Sequence, residues 1–168
     1  MGDEGKLYSI YTVKMQEQML TLIRKADIIA PNYTEACFLL GEPYQSDHSD
    51  IDEMKKWLIR LASLGPSIVV MTGIHVNKEK IVNIGYDRNE GAYWQVSNDY
   101  IPVQYPGTGD VFASVLAGCL IKGESLMIAM TQAAEFVSRA IKATFAAGTN
   151  PREGVLLETV LPWLCVKS

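Results

Sequence analysis

Apolar positions along the chain switch between helical spacing and short continuous runs, and that alternation predicts a layered α/β domain. Residues 13–25 put Met15, Met19, Leu22 and Ile23 on one face of a helix. The run Asp27-Ile28-Ile29-Ala30 is short and nearly all apolar, which suits a buried strand. Asn32 then has the chemistry of a helix N-cap and Gly41 that of a helix stop, so the segment reads as strand, tight turn and helix. The pattern repeats downstream. Ile51, Met54, Leu58 and Leu61 make one face of a helix over 50–64, Gly65-Pro66 breaks it, and 67–71 is a strand. Residues 80–86 and 92–96 predict two strands around the turn Asp87-Arg88-Asn89-Glu90-Gly91, with the polar and aromatic mixture of a partly exposed hairpin. Beyond Pro106 a strongly apolar helix is expected from Val111 to about Leu120, introduced by Gly107-Thr108-Gly109-Asp110. Ser125 caps a second helix reaching about Ala147, with Leu126, Met130, Ala133, Val137, Ala140 and Ile141 inward. A last helical turn or two over 155–164 is expected to end near Pro162. No internal repeat or linker-like shift interrupts the chain, so 1–168 reads as a single domain.

Composition narrows the function classes. At 168 residues, 48% hydrophobic and 20% charged, the chain has the size to bury about 70% of its unfolded surface. Nothing in it resembles a disordered or fibrous tract, and a compact soluble domain is expected. The net charge of -4 and the scattered placement of 15 basic residues argue against a nucleic-acid partner, because phosphate backbones are gripped through clustered Lys and Arg. Any phosphate chemistry must therefore rest on local backbone amides and a metal ion. The apolar runs fall short of the roughly 20 residues a membrane span needs, and Met1-Gly2-Asp3-Glu4 opens no signal peptide, so no membrane is expected and the cytoplasm is the expected location. Cys37, Cys119 and Cys165 lack any C-x-x-C spacing and read as reduced core thiols. His48 and His75 are isolated and read as surface or loop residues.

Three strand ends and a Gly turn carry the candidate chemistry. Gly107-Thr108-Gly109-Asp110 joins a tight, close-approaching backbone to a helix N-terminus, whose unpaired N–H groups and partial positive charge form an anion site. Asp110 at that site could accept a proton from a hydroxyl during phosphoryl transfer, although a Gly turn and an acidic first turn are also ordinary capping. Asn32 and Glu35 have the spacing of a capping box. They also follow a strand of an open α/β sheet, where ligands bind and where a carboxylate can hold Mg²⁺ directly or through water. Thr72-Gly73 offers a hydroxyl and a flexible backbone after a third strand. Asp3, between Gly2 and Glu4, has no reading from spacing alone. The absence of G-x-x-x-x-G-K-[ST] excludes a P-loop.

Taken in order, the segments Met1-Gly2-Asp3-Glu4-Gly5-Lys6-Leu7-Tyr8, Ala26-Asp27-Ile28-Ile29-Ala30-Pro31-Asn32-Tyr33-Thr34-Glu35-Ala36 and Gly107-Thr108-Gly109-Asp110-Val111-Phe112 resemble the C-terminal part of pyridoxal kinases of the ribokinase superfamily. The resemblance implies a layered α/β/α fold with a mostly parallel central sheet, its N-terminal strands missing. It further implies transfer of the γ-phosphate of ATP to the hydroxymethyl group of pyridoxal, pyridoxine or pyridoxamine. In that scheme Asp110 is the catalytic base, and Gly107, Thr108 and Gly109 form the anion hole. Asn32 and Thr72 would contact the ATP phosphates, and Glu35 would hold Mg²⁺. Asp3 and Tyr8 would lie near the ATP tail, and the stretch 101–106, with Ile101 and Tyr105, would wall the adenine. The family also commonly uses K⁺, which no residue here lets us place. Position 30 is Ala where the family often has Thr. A close relative, hydroxymethylpyrimidine kinase, often has Cys where this chain has Asp110, which leans the resemblance toward pyridoxal. A third reading is a non-catalytic nucleotide-binding module. Family members carry roughly another hundred residues before the Gly-Asp motif, so an exposed sheet edge and apolar faces are expected, with a homodimer or a complementing N-terminal segment to cover them.

Overall fold

The structure, a computed structural model, describes residues 1–45 and 50–166, for Val166 the backbone alone; His48 lies outside the described residues. The chain packs as two compact units, Met1–Asn77 with Val82–Gln95 and Lys78–Ile81 with Val96–Ser168.

The first unit opens with a small antiparallel hairpin, β1 (Gly2–Asp3) and β2 (Lys6–Leu7). Its turn residues Glu4 (φ 47) and Gly5 (φ 75) both take positive φ, the conformation that matches the twist of a two-residue hairpin. Without a hydrophobic alternation to mark it, this hairpin was not legible from pattern. Helix α1 (Val13–Ile23) is capped by Thr12, whose hydroxyl accepts from the Met15 amide. Of the four residues expected on one face, Ile23 is buried and Met19 half-buried, whereas Met15 is 40% and Leu22 62% exposed. Helical spacing identifies a shared face, and nothing in the spacing says whether another element covers it.

Strand β3 (Ile28–Ile29) runs parallel to β4 (Ile68–His75), Ile28 opposite Ile68 and Ile29 opposite Val69, and a further bridge pairs Asn32 with Thr72. Helices α2 (Tyr33–Leu40) and α3 (Ile51–Ser63) follow their expected limits, with Gly41 (φ 70) ending α2 in the left-handed conformation. The four-stranded sheet has the order β3-β4-β5-β6, with β5 Lys80–Asp87 and β6 Ala92–Asp99. The connections 76–79 and 88–91 are too short for a crossover, so these last strands form a meander beside the parallel pair.

Strand β4 corrects one expectation. Thr72 and Gly73 lie inside the strand, which continues to His75. Gly73 adopts φ 72 and donates its N–H to Oδ1 of the buried Asn83, so the strand bends without losing that backbone partner. The core of this unit gathers Met54, Leu58 and Leu61 from α3, Ala36 and Cys37 from α2, Val69, Met71 and Ile74 from β4, and Val82 and Ile84 from β5.

Tyr33 stacks on Trp57, ring centroids 5.3 Å apart and 12° from parallel. Burial, with a smaller push from Cys37, raises its phenol from 10.0 to about 12. The folded protein therefore keeps a proton that the unfolded chain releases. Stability is full below about pH 10 and falls as the pH rises toward 12, by about 1.4 kcal/mol per pH unit while the difference persists. Urea titrations across that range should show the slope, and Tyr33→Phe should lessen it.

In the second unit, α4 (Thr108–Ile121) packs against α5 (Leu126–Ala147), which Ser125 caps through the Ile128 amide. Leu126, Met130, Ala133 and Ala140 are buried, and Val137 and Ile141 half-buried, so the expected inward stripe is realised. A 3-10 turn at Pro151–Glu153 precedes α6 (Leu161–Val166). Here the expectation at Pro162 reverses: Pro162 sits in the first turn of α6, where its missing N–H has no intrahelical role, and the helix runs past it. Cys165 on α6 is exposed, whereas Cys37 and Cys119 are buried thiols that burial pushes upward in pKa. Trp163, packed on Phe136 at 6.3 Å, takes the inward side of α6.

The fully buried Thr144 hydroxyl donates to the Ala140 carbonyl at 2.7 Å and accepts from the Leu156 N–H at 2.8 Å, tying the segment after α5 to that helix. Thr144→Val keeps the shape but leaves the Leu156 N–H unpaired, an expected loss of about 1–3 kcal/mol in chemical denaturation. Thr144→Ser should retain most of the stability.

Candidate functional site

The candidate residues form two sets, one in each unit. In the first unit Asn32 is the organising side chain. Its Oδ1 accepts the Glu35 N–H at 2.8 Å while Glu35 Oε2 accepts the Asn32 N–H at 3.1 Å, so both halves of the capping box are made. Its Nδ2 donates to the Gly2 carbonyl at 2.9 Å, which ties the start of α2 to the β1–β2 hairpin. Thr72 pairs with Asn32 across the sheet and donates its N–H to the Pro31 carbonyl at 2.9 Å. Gly2, Asn32, Glu35 and Thr72 are thus brought together, Gly2 on β1, Asn32 and Glu35 beyond the end of β3, and Thr72 within β4. Asp3 is exposed beside them, its carboxylate accepting the Glu4 N–H at 2.9 Å. Tyr8 donates its N–H to the Met1 carbonyl, and the residue as a whole is 50% exposed.

Two supporting residues escaped the sequence reading. Gly2 has no room for a side chain, since a Cβ would lie 2.5 Å from the Lys6 carbonyl oxygen. The buried Thr34 accepts the Gly5 N–H through its hydroxyl at 3.0 Å, a second tie between hairpin and helix. Position in the quoted motifs was the available signal for both; hydrophobic pattern carried none.

The other Glu35 oxygen, Oε1, lies 2.7 Å from the Met1 nitrogen. Among the described residues no group of three or more His, Cys, Asp or Glu side chains is gathered for a metal. A metal here would depend on one protein carboxylate together with ligand oxygens, as Mg²⁺ at phosphate sites commonly does.

In the second unit the helix begins earlier than expected. Gly107 is its N-cap at φ 85, and Thr108, Gly109 and Asp110 are its first three residues rather than a turn before it. A glycine in the left-handed conformation lets the chain turn sharply into α4. No side chain caps this end; the Val111 N–H reaches the Gly107 carbonyl at 3.0 Å, and the preceding amides are the orphan donors of a helix start. Thr108 turns its hydroxyl back to the Tyr105 carbonyl at 3.2 Å, so it does not compete for those amides. Gly107, Gly109 and Asp110 are exposed. Tyr105 is buried and Ile101 half-buried, with a tight turn between the Val103 N–H and the Ile101 carbonyl. Preorganised donors beside an exposed carboxylate can hold an anion and accept a proton from a neighbouring hydroxyl.

Solved structures share this fold. Over 97% of the chain it superposes with TM-score 0.92 and 44% identity on a protein of Bacteroides thetaiotaomicron assigned provisionally as a phosphomethylpyrimidine kinase, covering 56% of that chain. Pyridoxal kinase from Lactobacillus plantarum matches over 99% at TM-score 0.85 and 30% identity, with 59% of its own chain covered. The architecture is the layered α/β kinase fold of the ribokinase-like superfamily. The family model of phosphomethylpyrimidine kinase matches residues 7–154, and the chain belongs to that family. Among curated relatives, the hydroxymethylpyrimidine/phosphomethylpyrimidine kinase of Bacillus subtilis is 31% identical over 77% of this chain and 46% of its own. The pyridoxine kinase of the same organism is 30% identical over 86% of this chain and 51% of its own. The chain spans about half the length of the curated relatives it matches. Among the described residues no helix is long and apolar enough to cross a membrane.

Proposed function

We propose that this chain carries the phosphoryl-transfer half of an ATP-dependent kinase acting on the hydroxymethyl group of a B6 vitamer. The observation that carries the reading is the start of α4: an N-terminus without a side-chain cap, entered through left-handed Gly107, with exposed Asp110 in its first turn. In this role the Asp110 carboxylate takes the proton of the substrate hydroxyl as its oxygen attacks the γ-phosphorus, and ADP leaves with the electrons of the broken P–O bond. The amides of Gly107, Thr108 and Gly109 donate to the equatorial oxygens as charge develops on them. Asn32 and Thr72 take the phosphate-contacting role, Asp3 and Tyr8 lie toward the ATP tail, and Ile101 and Tyr105 wall the adenine. Glu35 Oε1 would hold Mg²⁺, which when bound neutralises phosphate charge.

Pyridoxal is favoured as acceptor by the second crystal form of the Bacteroides protein, described as a complex with pyridoxal and 43% identical to this chain. Hydroxymethylpyrimidine is favoured by the family model and by the Bacillus subtilis hydroxymethylpyrimidine/phosphomethylpyrimidine kinase. The test is to supply Mg-ATP with pyridoxal, pyridoxine, pyridoxamine or hydroxymethylpyrimidine and follow ADP and phosphorylated product. Transfer to a B6 vitamer at higher kcat/KM than to the pyrimidine supports the proposal, and the reverse order replaces it with the pyrimidine reading. ATP binding with no transfer to any acceptor would leave a nucleotide-binding module in its place.

The Glu35 assignment has a separate expectation. Glu35→Gln keeps an acceptor for the Asn32 N–H while removing the charge, so α2 should stay folded. The Mg²⁺ concentration needed for half-maximal ATP binding should rise about tenfold or more, the scale of one lost carboxylate contact. Calorimetric Mg-ATP titrations of both proteins measure it.

A further inference from the structure

A hairpin whose strands have two residues each is not held by its own ladder. The β1–β2 turn nevertheless has one defined shape. Glu4 stands in the left-handed conformation at φ 47, which a residue with a side chain keeps only where its surroundings impose it. Two side chains from α2 and the segment after it impose it here. The Thr34 hydroxyl, on a residue only 2% exposed, accepts the Gly5 N–H at 3.0 Å across a separation of 29 residues. Tyr44 backs the same glycine, its ring so near that an added Cβ would stand 2.6 Å from Cγ. That ring meets Tyr33 at 5.5 Å, and Tyr33 stacks on Trp57, so the turn leans on a row of rings that leads into the core of the first unit. Burial, and after it the charges of Glu4 and Asp3, push the Tyr44 phenol upward, which agrees with a ring lying along the turn.

Helix α2 itself does not need these contacts. Asn32 and Glu35 already complete its capping box between them, whereas the Thr34 hydroxyl serves the hairpin.

We infer that Thr34 and Tyr44 are positioning residues, which hold the Asp3–Glu4–Gly5 turn in the shape that lets Asp3 meet the ATP tail. The inference rests on the proposed placement of Asp3 and adds the residues that act through it. A turn ordered beforehand binds without first losing conformational freedom, so losing either support lowers nucleotide affinity.

Calorimetric titration with Mg-ATP is the test, because it needs no turnover. Thr34→Val keeps the shape and removes the acceptor, and it should weaken binding about tenfold, while Thr34→Ser restores it. Tyr44→Ala should weaken binding in the same way, and it decides the matter if Thr34→Val does not fold. Gly65→Ala loosens the same unit at its contact with Arg24 and should leave the affinity of the folded chain within about twofold. A support that acts only through the turn is not additive with the group it positions. Asp3→Asn combined with Thr34→Val should therefore bind within about twofold of Asp3→Asn alone. If Asp3→Asn weakens binding but Thr34→Val or Tyr44→Ala binds normally, or if the losses multiply in the double variant, the inference is overturned and the role of Asp3 stands. If Asp3→Asn binds normally, or the unchanged chain binds no Mg-ATP, the placement of Asp3 fails and the inference falls with it.

Discussion

Asp110→Asn is expected to lower the rate of phosphoryl transfer by about 10²–10⁴-fold while leaving the fold untouched. The two halves of that expectation come from different observations. Asp110 stands in the first turn of α4 and is exposed; its backbone carbonyl accepts the Ser114 hydroxyl at 2.7 Å, a contact the amide variant keeps. Asparagine is nearly the same size and remains compatible with a helix start, so the unfolding midpoint should not move by more than about a degree or two. What it loses is the capacity to take a proton. A proportional fall in kcat and kcat/KM with ATP affinity retained is the signature of a group that acts in the transition state. A variant that keeps most of its rate would remove Asp110 from the role of base and leave the carboxylate as an ordinary helix-start residue.

The second large effect concerns the backbone. Gly65→Ala should destabilise the first unit by about 3 kcal/mol, whereas Gly41→Ala should cost about 1 kcal/mol. Both glycines follow helices and both have positive φ, so sequence alone ranks them together. Space separates them. A Cβ on Gly65 would lie 2.6 Å from the Arg24 Cα and 2.9 Å from its carbonyl oxygen, and a backbone cannot give way as a side chain can. A Cβ on Gly41 would meet nothing within 4 Å, leaving only the strain of the left-handed conformation at φ 70. Denaturant titrations of the two variants should therefore differ by a clear shift in midpoint at equal slope. Equal losses would mean that conformation, and not contact, governs both positions.

The elements of this fold that read correctly from the sequence are those with a long periodic face and a chemical stop. The α3 helix had Gly65-Pro66 to end it, and α5 had Ser125 to cap it. The errors fall where a local signal has two outcomes. Pro162 could end a helix or sit in its first turn, and the interior decided through Trp163. Gly73 could end β4 or bend it, and the Asn83 side chain, ten residues away, decided. The β1–β2 hairpin is too short to show alternation. Among the candidate site residues, the Asn32–Glu35 spacing predicted its capping box from propensity alone, but the reach of Asn32 to Gly2 joins residues thirty apart and no spacing rule contains it. Coverage was the least legible quantity: Met15 and Leu22 share a helical face with the buried Ile23 and are exposed.

The double engagement of Glu35 has a consequence for how variants of this protein would be sorted in a genetic screen. One oxygen of the carboxylate holds the start of α2, and the other is the oxygen proposed to hold the metal. Asn32 likewise serves helix, hairpin and sheet at once. Most replacements at either position would deplete the protein and impair it together, so abundance and activity would fall in step and the pair would be filed with the core. Only Glu35→Gln, which separates charge from hydrogen bonding, would leave abundance standing while activity falls.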